Sequence, residues 1–505
     1  MHYIYILSTT TLQYYIPLKY KVANNIITLL IVAFLCVSCR SVEPPAPYGA
    51  CPTASQIAWQ RMEMNMFCHF GPNTFTDKEW GDGTEAEELF DPTDLDCNQW
   101  AETAKRAGMK GIIVTAKHHD GFCLWTNPHS THTVLRSPWK DGKGDVLALL
   151  RQACDNNGLK MGIYISPWDR NAPTYGTEAY NETFRLTLQD ALSRYGEIFE
   201  QWFDGANGEG PTGKKQTYDW PLFNNTVKSL QPNAVIFSDV GPGCRWVGNE
   251  NGEAGESCWS TLNIDNFTPG AGAPPTDTLN QGNRNGNRWV PAETDVSIRP
   301  GWFYHPNEHP KSLKELLRIY YTSVGRNSLL LLNVPPDQRG RIPEEDSLRL
   351  AEFRDALDTI FANNLASDAK IEATNIRGNN EEYGTDALVD NNFNSYWATD
   401  DDTLTPTLTI TFDKAATFNR IVLQEYIPLG QRIERFHIKY KTTSGKWETL
   451  TTATTIGYKR ILLFTTTTTD AIRIIIDQSL ACPTINALGI YLDEYDAFGQ
   501  DPIED

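Results

Sequence analysis

The chain has 505 residues, 40% of them hydrophobic and 11% aromatic, a composition typical of a well-packed globular protein. Its length predicts two domains rather than one. The formal net charge of −19 argues against nucleic acid as a partner. This charge is compatible with neutral sugars as ligands. Trp, Tyr, His and carboxylate side chains bind sugars by stacking and by charged hydrogen bonds.

The N-terminal segment, residues 1–46, is predicted to be a signal peptide and linker. Lys19 and Lys21 precede an uncharged apolar run at 26–37, which is too short to span a bilayer and is typical of a signal-peptide core. The end of this segment resembles a bacterial lipoprotein processing site, with Cys39 as the lipidated residue. We therefore expect an exported lipoprotein in the periplasm or at the bacterial outer-membrane surface, anchored only by lipid. An ordinary signal peptide with an incidental cysteine is the alternative.

The cysteines beyond this segment do not form a recognisable framework. Eight remain after Cys36 and Cys39 are set aside, their spacing is irregular, and none forms a C-x-x-C pair. A chain of this size needs no disulfides for stability, so we expect most of them to be buried as small hydrophobic residues. No zinc pattern emerges.

Residues 47–362 are predicted to form a (β/α)8-like TIM barrel, with some irregular helices. Short apolar runs alternate with helical stretches throughout this part of the chain. The predicted strands lie at 66–71, 111–116, 160–166, 196–202, 234–239 and 328–333, and the predicted helices at 97–107, 145–156, 183–195, 223–230 and 344–361. A doubly wound sheet would need a Gly-rich phosphate loop after its first strand, and the sequence has none there.

Residues 363–497 are predicted to form an antiparallel β-sandwich. Thr, Asn and Asp become frequent, and short β-runs at 408–412, 420–424, 436–440 and 471–476 are separated by turn-rich segments. The fold class is therefore α/β followed by all-β.

Asp204 is the first candidate for chemistry. It follows the strand at 196–202 and precedes Gly205, which places it at the strand end where barrel enzymes carry their active sites. An Asp-Gly turn without a role is the alternative for an isolated pair. A second group of carboxylates, Glu250, Glu253 and Glu256, lies in a Gly-rich loop after the strand at 234–239. Together with Asp204, one of them would supply the two carboxyls that glycoside hydrolysis requires.

Three histidines form a second candidate group. His69 ends the first strand, with Glu79 and Trp80 in the following loop, and His118 and His119 end the second. Neighbours on a strand point to opposite faces, so His118 and His119 are poorly placed to share a metal ion. Packed structural histidines are the alternative for each alone. Their position at successive strand ends favours a polar pocket for hydroxyl groups.

Six motifs, in chain order, resemble the α-L-fucosidases of glycoside hydrolase family 29. The loop around Glu250 resembles most the subfamily that cleaves α-1,3- and α-1,4-linked fucose from branched, Lewis-type glycans. Stretches at 396–400 and 425–432 resemble discoidin-like (coagulation factor 5/8 type C) modules. The six motifs are Phe67-Cys-His69-Phe-Gly71, Lys117-His118-His119-Asp-Gly-Phe122, Trp202-Phe-Asp204-Gly205, Arg245-Trp-Val-Gly-Asn-Glu250, Arg299-Pro-Gly-Trp302 and Leu331-Leu-Asn333-Val-Pro-Pro336.

The resemblance implies a role for each matching position. Asp204 would be the nucleophile of a retaining double displacement, and Glu250 the general acid/base. Such a pair requires one carboxyl that stays ionised and one that is protonated in the first step. The fucose would be bound by His69, Glu79, Trp80, His118, His119, Trp202, Arg245 and Trp302.

The expected substrates are fucosylated oligosaccharides or glycoconjugates, with no cofactor and no catalytic metal implied. The C-terminal module offers a candidate structural calcium site at Asp390 to Ser395, although no full set of oxygen ligands can be identified there. Two alternatives remain open from the sequence. One is an α-L-fucosidase of broad or α-1,2 specificity, and the other is a non-catalytic carbohydrate-binding surface protein.

Overall fold

The computed structural model describes residues 42–495. Cys39 and nearly all of the predicted signal peptide lie outside the described residues, so the lipid anchor stays a prediction. Within the described range, no helix combines the length and the apolar character needed to cross a bilayer.

A closed barrel of parallel strands forms the N-terminal part and confirms the predicted TIM-like fold. β1 pairs with β2 on one side and with β10 on the other, which closes the ring. In the part of the chain described up to residue 333 there are ten strands, and all except the small β7–β8 ribbon belong to the barrel: β1 (Met64–Cys68), β2 (Gly111–Lys117), β3 (Lys160–Ile165), β4 (Ile198–Trp202), β5 (Val235–Ser238), β6 (Cys244–Trp246), β7 (Thr261–Leu262), β8 (Arg288–Trp289), β9 (Ala292–Ser297) and β10 (Ser328–Asn333).

Several helices of this region begin where a polar side chain caps their first turn. Asp96 and Asp145 accept hydrogen bonds from the first amides of their helices, and Ser312 forms a capping box with Glu315. The helices are α1 (Ala54–Gln60), α2 (Pro72–Thr76), α3 (Cys97–Arg106), α4 (Val146–Asn157), α5 (Ala179–Arg194), α6 (Trp220–Leu230), α7 (Thr276–Gln281), α8 (Leu313–Thr322) and α9 (Glu344–Ile360).

The helix predicted at 223–230 begins three residues earlier than expected. Asp219 caps its first turn by accepting from the amide of Leu222, and Pro221 is favourable there because its missing N–H is not needed. The helix predicted at 183–195 also begins earlier, at Ala179.

Two barrel strands, β6 and β9, are absent from the sequence-based prediction. β6 has only three residues, and β9 reads Ala-Glu-Thr-Asp-Val-Ser, so neither shows the apolar run by which buried strands are recognised. All six residues of β9 are nevertheless buried. A short turn at 239–243 joins β5 to β6 where a regular β/α unit would have a helix, and a long segment at 247–291 separates β6 from β9.

The C-terminal part is the antiparallel β-sandwich expected from the sequence. The runs predicted at 408–412 and 420–424 belong to a single long strand, whose pairing with β16 is irregular between Thr411 and Ala416. This strand pairs with β11 near its start and with β17 near its end, so it belongs to both layers. The strands are β11 (Lys370–Ala373), β12 (Trp397–Ala398), β13 (Thr407–Glu425), β14 (Ile433–Lys441), β15 (Trp447–Ala453), β16 (Arg460–Ser479) and β17 (Thr484–Tyr491).

Buried amide side chains join the sandwich to the barrel. Gln431 accepts a hydrogen bond from the amide of Ser260 at 2.7 Å and donates to the carbonyl of Cys258 at 3.0 Å. Asn327 donates to the same carbonyl and accepts from the amide of Tyr458. These groups are shielded from water, so the network fixes the two modules in one arrangement.

Candidate active site

A cavity of about 210 Å³ lies at the carboxyl ends of the barrel strands. It is smaller than the ~300–1,000 Å³ typical of sites for drug-sized ligands, so its size suits a single monosaccharide. Every site residue predicted from the sequence lines it except Arg245. The lining residues are Phe67, His69, Glu79, Trp80, His118, His119, Tyr164, Trp202, Asp204, Ala206, Glu250, Asp295 and Trp302.

Asp204 lies just beyond the end of β4 with its carboxylate held from two sides. Its Oδ1 accepts a hydrogen bond from the amide of Ala206 at 2.7 Å, and its Oδ2 accepts one from the hydroxyl of Tyr164 at 3.0 Å. His119 Nε2 lies 3.6 Å from the same Oδ2. Burial and the nearby Asp204 raise the pKa of Tyr164, which keeps its hydroxyl protonated as a donor.

The three histidines are buried and neutral. His69 Nδ1 lies 2.8 Å from Asn333 Oδ1, and His119 Nδ1 lies 2.8 Å from Ser166 Oγ. Burial lowers the pKa of His69 and that of His119 to about 4, and the pKa of His118 is also well below its usual value. Neutral imidazoles both donate and accept hydrogen bonds, which suits sugar hydroxyls.

His118 and His119 do not point to opposite faces as expected. Both line the cavity, with ring centroids 4.2 Å apart. The reason is that β2 ends at Lys117 and its pairing with β3 shifts between Thr115 and Lys117. The alternation of a regular strand therefore does not extend to these two residues.

Tryptophans supply the apolar surface of the cavity. Trp202 stacks on Phe237, with centroids 3.9 Å apart and ring planes 7° from parallel. Trp302 packs against His69, and Trp80, with 57% of its surface exposed, lies at the mouth beside His119. Such rings cover the C–H face of a sugar.

Glu79 fixes the segment that carries Trp302. Its two carboxylate oxygens accept from the amides of Trp302 and Phe303 at 2.9 and 3.2 Å. His305 Nε2 lies 2.7 Å from the same carboxylate. Glu79 therefore both borders the cavity and positions the segment that carries Trp302.

Glu250 is the acid of its loop that faces the cavity. Trp302 Nε1 donates to Glu250 Oε2 at 3.2 Å. Glu253 and Glu256, also described by the structure, lie outside the lining: Glu253 forms an ion pair with Arg318, and Glu256 lies 3.6 Å from Arg326. The structure thus separates three acids that the sequence presents as equivalent.

The structure corrects the predicted substrate-binding role of Arg245, which does not line the cavity. Its side chain is buried away from the cavity formed by the described residues, and its guanidinium donates to the backbone carbonyls of Leu279, Val290 and Trp259. These carbonyls belong to the insertion at 247–291. Arg245 therefore stabilises this insertion by hydrogen bonds to its backbone. The sequence motif singled out Arg245 but could not show in which direction its side chain points.

Tyr164 and Asp295 are the polar lining residues that sequence reasoning missed. Tyr164 lies within the predicted strand at 160–166, where it is indistinguishable from a core aromatic. Asp295 lies on β9, which was not recognised as a strand. The only available signal for Asp295 was the alternation of Glu293, Asp295 and Ser297 along one face.

A pair of acids lies deeper in the barrel. Trp59 Nε1 donates to Glu200 at 2.7 Å, and Trp202 Nε1 donates to Glu293 at 2.8 Å. Burial raises the pKa of Glu200, and burial together with the charge of Glu200 raises the pKa of Glu293. Two adjacent carboxyls cannot both be ionised without a large cost, so the pair retains a proton and orients Trp202.

The same two acids and Cys244 are the group of described residues whose spacing suits a metal ion, with ligand atoms within 4.8 Å of one another. Burial raises the pKa of the Cys244 thiol well above its usual value, which disfavours the thiolate that a metal would need. At the candidate calcium site, Asp390 to Ser395, the carboxylate of Asp390 is already engaged in hydrogen bonds. Asp390 accepts from the amide of Asn392 and the hydroxyl of Ser395 within a local turn.

A closed parallel barrel with a sugar-sized, carboxylate-bearing cavity at its strand ends is an architecture that suits a glycoside hydrolase. A family model described as alpha-L-fucosidase matches residues 48–359, and one described as a NedA-like, galactose-binding domain matches residues 387–474. The chain is similar to a protein of Arabidopsis thaliana named alpha-L-fucosidase 1, with 42% identity over 484 residues that cover 94% of this chain and 95% of the relative.

Solved structures agree with these matches. A glycoside hydrolase family 29 fucosidase of Ruminococcus gnavus, in complex with fucose, is 32% identical with a TM-score of 0.83, and the match covers 90% of this chain and 98% of that one. A family 29 member from an unknown rumen bacterium is 42% identical with a TM-score of 0.79, over 89% and 78% of the two chains. The chain belongs to the α-L-fucosidase family, glycoside hydrolase family 29, and it is an enzyme rather than a non-catalytic binding protein.

The buried acid pair predicts how stability depends on pH. The folded state retains a proton that the unfolded chain releases above pH ~4.3, so the contribution of the pair to stability falls as pH rises from that value through the raised pKa of the pair. Glu200→Gln should make the decline of unfolding free energy shallower, by up to ~1.4 kcal/mol per pH unit for one proton. Denaturant unfolding between pH 5 and 8 measures this slope.

The exposed Glu197→Gln, three residues away, is the matched control and should leave the slope unchanged. Equal slopes for wild type and Glu200→Gln would contradict proton retention by the pair.

Proposed function

We propose that the protein is a retaining exo-α-L-fucosidase that removes α-1,3- and α-1,4-linked fucose from Lewis-type branched glycans. Asp204 is the nucleophile and Glu250 the general acid/base. One observation carries this proposal: both carboxyls reach the same cavity, whose size suits one monosaccharide. The fucose bound by the Ruminococcus gnavus relative supports a fucose site in this chain.

In the first step, a carboxylate oxygen of Asp204 attacks the anomeric carbon while Glu250 protonates the departing glycosidic oxygen. This gives a covalent fucosyl-enzyme and releases the remaining glycan. In the second step, Glu250 removes a proton from water, and the resulting oxygen attacks the anomeric carbon and frees Asp204. Retention of configuration requires carboxyls ~5–5.5 Å apart.

The surroundings of each carboxyl support its role. The Asp204 carboxylate is held by Tyr164 and by the amide of Ala206, and a fixed attacking group needs little rearrangement before reaction. Glu250 is exposed and lies on a loop, where it can meet the leaving oxygen at the cavity mouth. The neutral His69 and His119 provide hydroxyl contacts without adding charge.

Replacement of the two carboxyls tests these roles. Asp204→Asn should reduce turnover of an aryl α-L-fucoside to the assay background, because the amide keeps the shape but lacks the attacking charge. Glu250→Gln should lower activity on oligosaccharides by roughly 10²–10⁴-fold, the usual contribution of general acid–base catalysis. Azide should partly restore its activity on activated fucosides, since azide needs no general base.

Glu253→Gln and Glu256→Gln are the matched controls from the same loop and should retain activity. Azide rescue of either control, rather than of Glu250→Gln, would show that the acid/base has been assigned to the wrong residue.

The linkage preference concerns contacts outside the cavity. A cavity that holds one sugar leaves the second branch to be bound at the mouth, near Trp80 and Glu250 of the loop at 246–259. Trp259 of this loop is buried, whereas Trp246 is partly exposed and is the better candidate for contact. Binding energy from the remote sugar would then lower the barrier to reaction.

We expect Lewis-type trisaccharides to be hydrolysed faster than α-1,2-linked fucosyl-lactose by roughly tenfold or more, because one additional buried hydrogen bond contributes about 1–3 kcal/mol. Comparison of kcat/KM for the two substrates measures the preference. Equal values would indicate the broad or α-1,2-specific alternative and would leave the fucosidase activity untouched.

The proposed location is the periplasm or outer-membrane surface, with Cys39 lipidated. Wild-type protein expressed in a bacterium should partition with membranes and incorporate a palmitate analogue, whereas Cys39→Ala should be released from the membrane fraction. The neighbouring Cys36→Ala is the control and should remain anchored. A fully soluble wild-type protein would refute the lipid anchor.

A further inference from the structure

Asp295 is an acid of the cavity lining that takes no part in the proposed double displacement. It lies on β9, with its backbone paired to Leu331 of β10. Alternation along the strand places it on the same face as Glu293, which reaches Trp202 in the barrel interior. Asp295 is one level closer to the strand end and lines the cavity with only 3% of its surface exposed.

One oxygen of this carboxyl lacks a partner. Asp295 Oδ1 is buried and has no hydrogen bond to any residue that the structure describes. A buried polar atom without a partner costs folding free energy, typically about 1–3 kcal/mol, and native proteins retain few such atoms. His118 Nδ1, also in the lining, is likewise without a partner among the described residues, whereas His69 is held by Asn333 and Glu79 by backbone amides.

We propose that Asp295 is a substrate-binding residue, and that its carboxyl forms a hydrogen bond with one hydroxyl of the bound fucose. The proposal rests on the fucose site placed in this cavity under the proposed function. It does not depend on which carboxyl attacks the sugar.

The protonation state defines the type of contact. Burial, reinforced by the nearby Glu250 and Asp204, raises the pKa of Asp295 well above its usual range. A neutral carboxyl can donate one hydrogen bond and accept others, as a carboxamide does. Asn should therefore replace Asp295 better than any apolar residue.

The test combines variants of Asp295 with substrates that lack single hydroxyls. Asp295→Leu, Asp295→Ala and Asp295→Asn are assayed on an aryl α-L-fucoside and on its 2-, 3- and 4-deoxy derivatives. On the parent substrate, the Leu and Ala variants should lose on the order of tenfold to a hundredfold in kcat/KM, as expected for one buried hydrogen bond. Asp295→Asn should retain most of the activity.

The decisive result is a loss that depends on one hydroxyl. For the deoxy sugar that lacks the partner of Asp295, wild type and Asp295→Leu should react at nearly equal rates, because the contact is already missing. The other two deoxy sugars should show the full loss. A merely structural role would reduce all four rates by the same factor.

Thermal stability gives an independent readout. Asp295→Leu removes a buried acid one of whose oxygens has no partner, so its melting temperature should equal or exceed that of wild type. Thr294→Val is the matched control on the same strand, since its hydroxyl lies 2.7 Å from Ser328 Oγ and not in the cavity. It should lower the melting temperature without any dependence on the sugar hydroxyls.

Three results would overturn the proposal: an unchanged rate for both Asp295→Leu and Asp295→Ala, an equal loss on all four substrates, or rescue by azide, which would make Asp295 an acid/base. The Ala variant serves if Leu does not fold. Failure of wild type to hydrolyse the parent fucoside would instead contradict the proposed function, so the two failures are distinguishable.

Discussion

Closure of the barrel between β1 and β10 is the constraint on which the site depends. Because all barrel strands are parallel, closure brings their carboxyl ends to a single rim. Residues far apart in the chain then converge: His69 follows β1, Asp204 follows β4, and Asp295 lies near the end of β9. Asp204 and Glu250 are 46 positions apart in sequence, and only this closure, together with the loop after β6, brings both into one cavity.

The interior of the barrel is unusually polar beneath the cavity. On β4, Glu200 and Trp202 share one face, with Asp204 just beyond the strand end, and on β9 Glu293 and Asp295 share one face. The indole of Trp202 connects the cavity to the acids beneath it, since Trp202 lines the cavity and donates a hydrogen bond to Glu293. The barrel thus retains buried acids that an apolar core would avoid. These acids cost folding free energy, but they orient Trp202 and keep polar groups beneath the cavity.

The sequence allowed both folds and most of the residues that line the cavity to be predicted, because apolar strands and turn-rich segments leave clear patterns. It failed where pattern and environment disagree. β9 is fully buried but carries Glu293, Thr294 and Asp295, so hydrophobicity could not locate it, and Asp295 was lost with it. Arg245 shows the opposite failure: its motif was recognised, but only the structure reveals that its guanidinium binds backbone carbonyls. The direction of a side chain depends on tertiary packing that local sequence does not specify.

The two candidate catalytic carboxyls are supported in different ways, and the difference fits their tasks. Asp204 lies two residues beyond the end of β4 and receives hydrogen bonds from Tyr164 and Ala206, which suits its proposed role of attacking one carbon along one line. Glu250 lies on a loop that the barrel fastens on either side, by Arg245 before it and by the contact of Gly252 with Thr322 after it. Such a loop would keep Glu250 close to the glycosidic oxygen and leaves its carboxyl exposed. The proposed acid/base needs this exposure, because it has to meet a bulky leaving glycan in the first step and a water molecule in the second.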